Sequence, residues 1–168
     1  GLLDANFNGS SIPMLFGLHG PVEVGEYSFL PLKTTTGIKV ISPNLLVDDE
    51  TKTIVWKEAS ASNVIFQLYK EVEWGTLDYL LVDLPPATSE LAVSIMDSLP
   101  FDGIVIVAQP QNLCSKLVTK AIRMVQETNT EIIGIVENMS YYLNSETNQK
   151  MFLFGNSHAD SLSLDINT

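Results

Sequence analysis

Four short apolar runs each end abruptly in polar or turn-forming residues: Gly1 to Leu3 before Asp4, Tyr79 to Val82 before Asp83, Ile104 to Ala108 before Gln109-Pro110, and Ile132 to Val136 before Glu137-Asn138. Near-continuous runs, as opposed to alternating ones, are what a parallel sheet covered on both faces demands, so these segments are predicted to be buried parallel strands. Helical patterns lie between them. Ser62 to Val72 places Val64, Ile65, Leu68 and Val72 at helical spacing, and Leu113 to Val125 does the same with Leu113, Leu117, Ala121, Met124 and Val125. Ser89 to Leu99 reads as a shorter helix, opened by Thr88 or Ser89 as N-cap after the Pro85-Pro86 break. Strand alternating with helix predicts an α/β fold with a doubly wound, mostly parallel sheet.

Two regions break the alternation. Gly37 to Trp56 reads as two extended segments, Ile38 to Ile41 and Thr53 to Trp56, around a polar insertion or hairpin at Asp48 to Lys52. Asn6 to Thr36 is punctuated by Pro13, Gly17, Gly20, Pro21 and Pro31 and is expected to be loop-rich, with a short helix at Ile12 to Leu18. No repeat, linker or composition shift interrupts the chain, so a single domain over residues 1–168 is expected; its 45% apolar content suffices for a core. Gly1-Leu2-Leu3-Asp4 reads as entering mid-strand.

Charge narrows the function classes. Acidic residues outnumber basic ones by 20 to 9, for a formal charge of −11, and are scattered across a solvated surface that repels nucleic acid and anionic lipid. No apolar stretch approaches the roughly 20 residues needed to span a bilayer, and the start shows no targeting pattern. Neither a nucleic-acid nor a membrane partner is expected. The single cysteine, Cys114, excludes an internal disulfide and cannot by itself form a zinc or cluster site. It fits a reducing compartment, so the cytoplasm is expected, or an organelle matrix if a targeting segment is missing, and at the start of a helix it is expected to be a small buried hydrophobe. His19 and His158 are isolated, and Lys116, Lys120 and Arg123 form a solvated stripe.

In open parallel sheets ligands bind beyond the carboxyl ends of the strands, which makes the strand-ending residues the informative ones. Here they are Asp4, Asp83, Gln109 with Pro110, and Glu137 with Asn138. A carboxylate directly after an apolar strand is the arrangement that holds magnesium through water in phosphate-handling sites. If the strands are parallel, Asp4, Asp83 and Asn138 open onto one edge, with Asp4 and Asp83 on neighbouring or next-neighbouring strands and the crevice open or disordered around Asn6 to Thr36. The expected companion, a G-x-x-x-x-G-K-[ST] loop whose amides and lysine neutralise phosphates, is absent from the 168 residues; Gly25 to Lys33-Thr34 has the wrong spacing.

Four colinear runs carry a family resemblance: Leu2-Leu3-Asp4-Ala5-Asn6-Phe7-Asn8-Gly9-Ser10-Ser11-Ile12-Pro13, Gly37-Ile38-Lys39-Val40, Trp74 to Pro86 (WGTLDYLLVDLPP), and Gly134-Ile135-Val136-Glu137-Asn138-Met139-Ser140-Tyr141. Together they resemble the Mrp/ApbC family, a MinD-like branch of the P-loop NTPases, over Gly1 to about Gly155. The resemblance implies dimers that bind ATP and magnesium at their interface and carry iron–sulfur clusters to apoproteins. It makes Asp83 the Walker B aspartate that supports the metal, Asn138 the amide that reads adenine, and Asp4 the candidate catalytic carboxylate, first of a D-x-D pair. It also implies a first strand and phosphate loop upstream of Gly1 and further elements after Thr168, so the fold is expected to be incomplete at both ends.

Several positions depart from that pattern. Asn6 stands where the second D-x-D aspartate would orient the attacking water, and an amide cannot accept its proton. Ala87 and Ser89 replace two glycines of a Gly-Thr-Gly-Asp run, restricting the backbone near the phosphates. Asn144 and Thr147 occupy the places of a Cys-x-x-Cys pair and offer no thiolate. The leading expectation is an ATP-binding iron–sulfur cluster carrier or assembly protein of degenerate form, acting as a homodimer or as a heterodimer with a related ATPase. The alternative is an inactive pseudo-ATPase serving as a partner-binding subunit.

Overall fold

The computed structural model describes residues 1–7, 9–46, 58–128 and 130–157. The first apolar run forms strand β1 (Leu2–Asp4), and a loop leads to the short helix α1 (Ile12–Leu15). Three two-residue strands follow, β2 (Glu23–Val24), β3 (Phe29–Leu30) and β4 (Leu32–Lys33), and then β5 (Lys39–Ile41) with a 3-10 turn at Pro43–Leu46. Helix α2 (Glu58–Glu71), strand β6 (Leu81–Asp83) and helix α3 (Glu90–Ser98) complete the first half. The second half holds β7 (Ile104–Ala108), α4 (Asn112–Glu127), β8 (Ile132–Glu137) and the two-residue strands β9 (Tyr142–Leu143) and β10 (Lys150–Met151).

The chain divides into two compact units, Gly1–Ser98 and Leu99–Thr168. In the first, the strand order is β4-β5-β1-β6, with β5, β1 and β6 parallel and β4 antiparallel at the edge. Parallel neighbours need covered crossovers, and α2 and α3 pack on each other to supply apolar cover. Ala61, Ile65 and Leu68 of α2, Val72 directly after it, and Leu91, Ala92, Ile95 and Met96 of α3 are buried with Leu3, Val40 and Ile41 of the strands. Ser89 opens α3 as expected, accepting the Ala92 N–H on its hydroxyl oxygen at 3.1 Å. Gly37 turns the chain between β4 and β5 at φ 87°, a region that side chains disfavour, while its N–H donates to Thr34 O at 2.9 Å.

In the second unit β7 and β8 are parallel, and α4 covers one face of the pair. Ile106, Ala108, Val118 and Ile122 form that core, with Ile104, Ile132 and Ile135 packed against it. On the other face Val105, Val107 and Val136 are exposed.

These observations give the expected α/β class with parallel strands, and two differences of detail. The apolar stripe of α4 is Val118, Ala121, Ile122 and Val125; Leu117, expected inside, is 50% exposed. Spacing of i, i+3, i+4 and i+7 fits both sets, but the β-branched pair Val118 and Ile122 meets the flat sheet face and sets the helix rotation. Ile122→Ala is expected to cost about 2–4 kcal/mol in urea unfolding and Leu117→Ala no more than about 1. Equal losses would place both side chains in the core. The second difference is that the loop-rich stretch from Asn6 to Thr36 is pinned, with Phe7, Pro13 and Val22 buried and the Val22 N–H donating to Leu45 O at 2.7 Å. The expected segments Asp48 to Lys52 and Thr53 to Trp56 lie outside the described residues.

Candidate functional site

Asp4 and Asp83 end neighbouring parallel strands and are register partners, Leu2 to Leu81, Leu3 to Val82 and Asp4 to Asp83. The ladder continues one step further, where the Ala5 N–H donates to Asp83 O at 2.9 Å. Parallel pairing leaves both carboxylates at the same edge of this sheet.

The two carboxylates differ in environment. Asp4 is 0% exposed. Its Oδ1 accepts the Asn6 N–H at 3.0 Å, and its Oδ2 accepts the hydroxyls of Ser10 at 2.5 Å and Ser42 at 3.2 Å. The two hydroxyls lie 2.5 Å apart, so they form a connected set around one carboxylate oxygen. Strand ends and a loop converge here: Ser42 directly follows β5, and Ser10 returns from the segment after β1. A buried carboxylate needs such donors, because removal from water without them costs far more than folding supplies.

Asp83 is exposed, yet its carboxyl is held above the ordinary value of 3.8, first by partial burial and then by the Asp4 charge. Folding therefore favours the protonated form, so the contribution of Asp83 to stability is full below 3.8 and is lost as pH rises through the higher folded value. Asp83→Asn is expected to raise the melting temperature at neutral pH, by no more than about 2 °C, and to leave it unchanged in acid. A variant that melts lower at neutral pH would show that the ionised carboxylate has a partner that stabilises it. A divalent cation beside Asp83 would relieve the same tension.

Asn138 follows β8 in the second unit, where its N–H donates to Ala108 O at 2.8 Å and its Oδ1 accepts the Met139 N–H at 2.9 Å. Gln109, the equivalent residue after β7, donates from Nε2 to the Met139 sulfur at 3.5 Å. Glu137 accepts the Ser140 hydroxyl on its carbonyl at 2.7 Å and on Oε2 at 3.1 Å. Each sequence-derived site residue thus ends or directly follows a parallel strand of its own unit.

The positions that depart from the family pattern are committed locally. Ser89 spends its hydroxyl on the α3 cap. Asn144, in the β9–β10 hairpin, accepts the N–H groups of Glu146 at 2.9 Å and Thr147 at 3.0 Å on Oδ1, closing the tip. Tyr141, Tyr142, Leu143, Met151, Phe152, Leu153 and Phe154 around that hairpin are all exposed. Among the described residues no group of three or more His, Cys, Asp or Glu could hold a metal ion, and no helix is long and apolar enough to cross a membrane. Cys114 lies in α4, but its expected burial falls outside the described side chains, and His158 falls outside the described residues.

Sequence reasoning missed Ser10 and Ser42. The strand-end rule that selected Asp4 also selects Ser42, one residue past Ile41, and a hydroxyl there reads as a donor to a neighbouring carboxylate.

Comparison with known proteins adds an independent line. The ParA profile described as NUBPL iron-transfer P-loop NTPase matches residues 1–168. An iron–sulfur cluster carrier protein of Clostridium perfringens is 36% identical over 99% of this chain and 62% of its own length. Mouse iron–sulfur cluster transfer protein NUBPL is 34% identical over 99% of this chain and 47% of its own. Among solved structures, a nucleotide-binding protein of Archaeoglobus fulgidus, in complex with ADP and with cobalt, superposes with a TM-score of 0.82 at 38% identity, covering 99% of this chain and 65% of that one. The chain spans less than two thirds of each of these relatives.

Proposed function

Because this chain belongs to the NUBPL-type family of iron-transfer P-loop NTPases, we propose that it is the nucleotide-binding portion of an iron–sulfur cluster carrier or assembly protein. The observation that carries the reading is the in-register pair Asp4 and Asp83 at the carboxyl ends of adjacent parallel strands. In it Asp83 supports magnesium through water, and Asn138 meets the adenine. Asp4 keeps the place of the catalytic carboxylate and acts through the loop it holds, which carries Asn6.

The residues present fit these groups unequally. Asp83 suits a hydrated divalent cation, since its ionised form is uncompensated in the fold. ATP and magnesium would bring the triphosphate to a strand edge that lacks the glycine-rich loop and its lysine, so the 168 residues supply the metal and base contacts without the main phosphate donors. A cluster, as cargo, finds an amide and a hydroxyl at Asn144 and Thr147 where thiolates are needed. A heterodimer with a related ATPase would supply the missing ligands, whereas in a homodimer each copy repeats the same deficit; the exposed aromatic hairpin at Tyr141 to Phe154 suits either contact. Iron–sulfur apoproteins are the recipients in this reading. Asn6, Ala87 and the committed Ser89 favour a second reading, a pseudo-ATPase subunit that binds partners without hydrolysis.

Titration of the chain with MgATP, followed by calorimetry and backbone amide shifts, tests the proposal. Binding weaker than micromolar is expected, with shifts around Asp83 and around Asn138. No shift at either position would overturn the nucleotide reading, and micromolar affinity would show that another segment replaces the absent loop. Hydrolysis measured at saturating MgATP separates the two readings: turnover excludes the pseudo-ATPase.

A further inference from the structure

Three residues stand in one row across the carboxyl edge of the first unit. Leu3 pairs with Ile41 on β5 and Asp4 pairs with Asp83 on β6, so Ser42, the residue after Ile41, is level with Asp4 on one side as Asp83 is on the other. Neighbouring strands lie about 4.8 Å apart, and partners in register present their side chains to the same face. Asp4 thus sits between a hydroxyl and a carboxylate, and its Oδ2 is bonded on the hydroxyl side.

The proton count fixes that arrangement. Ser10 donates to Asp4 Oδ2 at 2.5 Å, so the 2.5 Å contact between the two hydroxyls carries the Ser42 proton, which also leans on Oδ2 at 3.2 Å. The Asn44 N–H approaches Ser42 Oγ at 3.4 Å and completes the line. Ser42 is buried and Ser10 half-buried, and Asp4 beneath them has no exposed surface, so neither of its oxygens is open to a cation in solvent. Asp83 is exposed.

A cation at this edge therefore meets one carboxylate where the register alone would offer two. Among the described residues no group of three or more His, Cys, Asp or Glu adds to it. Calcium collects about six to eight oxygens, commonly from several carboxylates, whereas magnesium gives up its water reluctantly and is held through one or two. We propose that Ser10 and Ser42 are specificity-determining residues of this edge: by drawing Asp4 inward they leave Asp83 alone in solvent and restrict it to a cation that keeps most of its water, magnesium in preference to calcium. This rests on the metal reading above and adds the residues that set its selectivity, although neither serine touches the cation. Without both hydroxyls Asp4 keeps only the Asn6 N–H, too little for a buried charge, and its carboxylate turns out beside Asp83 as a second ligand.

The test titrates magnesium and calcium separately, without nucleotide, and reads the backbone amide shifts of Asp83 and Leu84. The unaltered chain is expected to bind magnesium the more tightly. In the Ser10→Ala, Ser42→Ala variant calcium should gain about tenfold relative to magnesium, the effect of one more carboxylate ligand, while the buried Met96 methyl resonance keeps its position and shows an intact fold. Adding Asp4→Asn to that variant should cancel the gain. An electrostatic field acts alike on two cations of equal charge, so the ratio reports ligands, and a merely structural role of the serines would leave it unmoved. Should the double variant fail to fold, Asp4→Asn with both serines in place decides: an unchanged ratio is expected, and a shifted one would show that Asp4 already ligates. Calcium preferred by the unaltered chain, or an unmoved ratio in the folded double variant, would overturn the inference and leave the metal reading standing. No response of Asp83 to either cation in the unaltered chain would overturn both.

Discussion

Replacing Asp4 with alanine is expected to destabilise the chain by about 2–4 kcal/mol in urea unfolding, the largest loss of any polar substitution in the first unit. The carboxylate is fully buried and accepts from Ser10, Ser42 and the Asn6 N–H. Deleting it takes the acceptor from the buried Ser42 hydroxyl and from the part-buried Ser10 hydroxyl and Asn6 N–H, and for a buried donor an unmade hydrogen bond costs more than a made one contributes. The loss is bounded because the two hydroxyls, 2.5 Å apart, can still bond each other. Ser42→Ala removes one donor and leaves the charge, so about 1–2 kcal/mol is expected. Asp4→Asn keeps the shape and removes the charge, which should bring the Asp83 carboxyl back toward 3.8, because the Asp4 charge is one of the two causes that raise it. Proton NMR titration of Asp83 reads that change directly. A loss below about 1 kcal/mol for Asp4→Ala would mean that the network contributes little to holding the loop after β1.

What was legible in the sequence follows from how many residues carry each signal. The run Ile104 to Ala108 forms a strand with the expected bounds because four of its five apolar residues are β-branched, although the covered sheet that the run led us to expect is covered here on one face only, Val105 and Val107 being exposed. The helix expected at Ser62 to Val72 begins earlier, at Glu58, since polar first turns carry no periodicity. The strands at Glu23–Val24, Phe29–Leu30 and Leu32–Lys33 were illegible because two residues hold no period at all; tertiary pairing alone makes them. Strand-end position found Asp4 and Asp83, and parallel topology does pair them. It could not tell that one would be sealed by two serines and the other left in solvent, because that depends on where the segment after β1 returns. The contact between Gln109 and Met139 was hidden for the same reason: it joins residues 30 apart whose meeting depends on the β7–β8 register.

Reconstituted anaerobically with iron and sulfide, the unaltered chain is expected to retain only substoichiometric iron, whereas an Asn144→Cys, Thr147→Cys variant should gain a cluster of about four irons per pair of chains. Each chain has one cysteine, so a pair offers two thiolates where four are usual. The hairpin tip is nevertheless shaped for the task. Asn144 Oδ1 already bonds the Thr147 N–H at 3.0 Å, so the side chain at the first position points back across the turn to the fourth. Thiolates substituted at these two places would share one side of a C-x-x-C turn, the spacing that lets a single metal centre meet both. The surrounding exposed aromatic and aliphatic side chains, Tyr142, Leu143, Met151 and Phe152, could exclude water once two hairpins meet. Iron and sulfide analysis, with the visible absorption of the cluster, reads the outcome, and the gain should persist when Cys114→Ser is added. A stoichiometric cluster on the unaltered chain that disappears with Cys114→Ser would reverse the assignment, making Cys114 a bridging ligand and the hairpin a bystander.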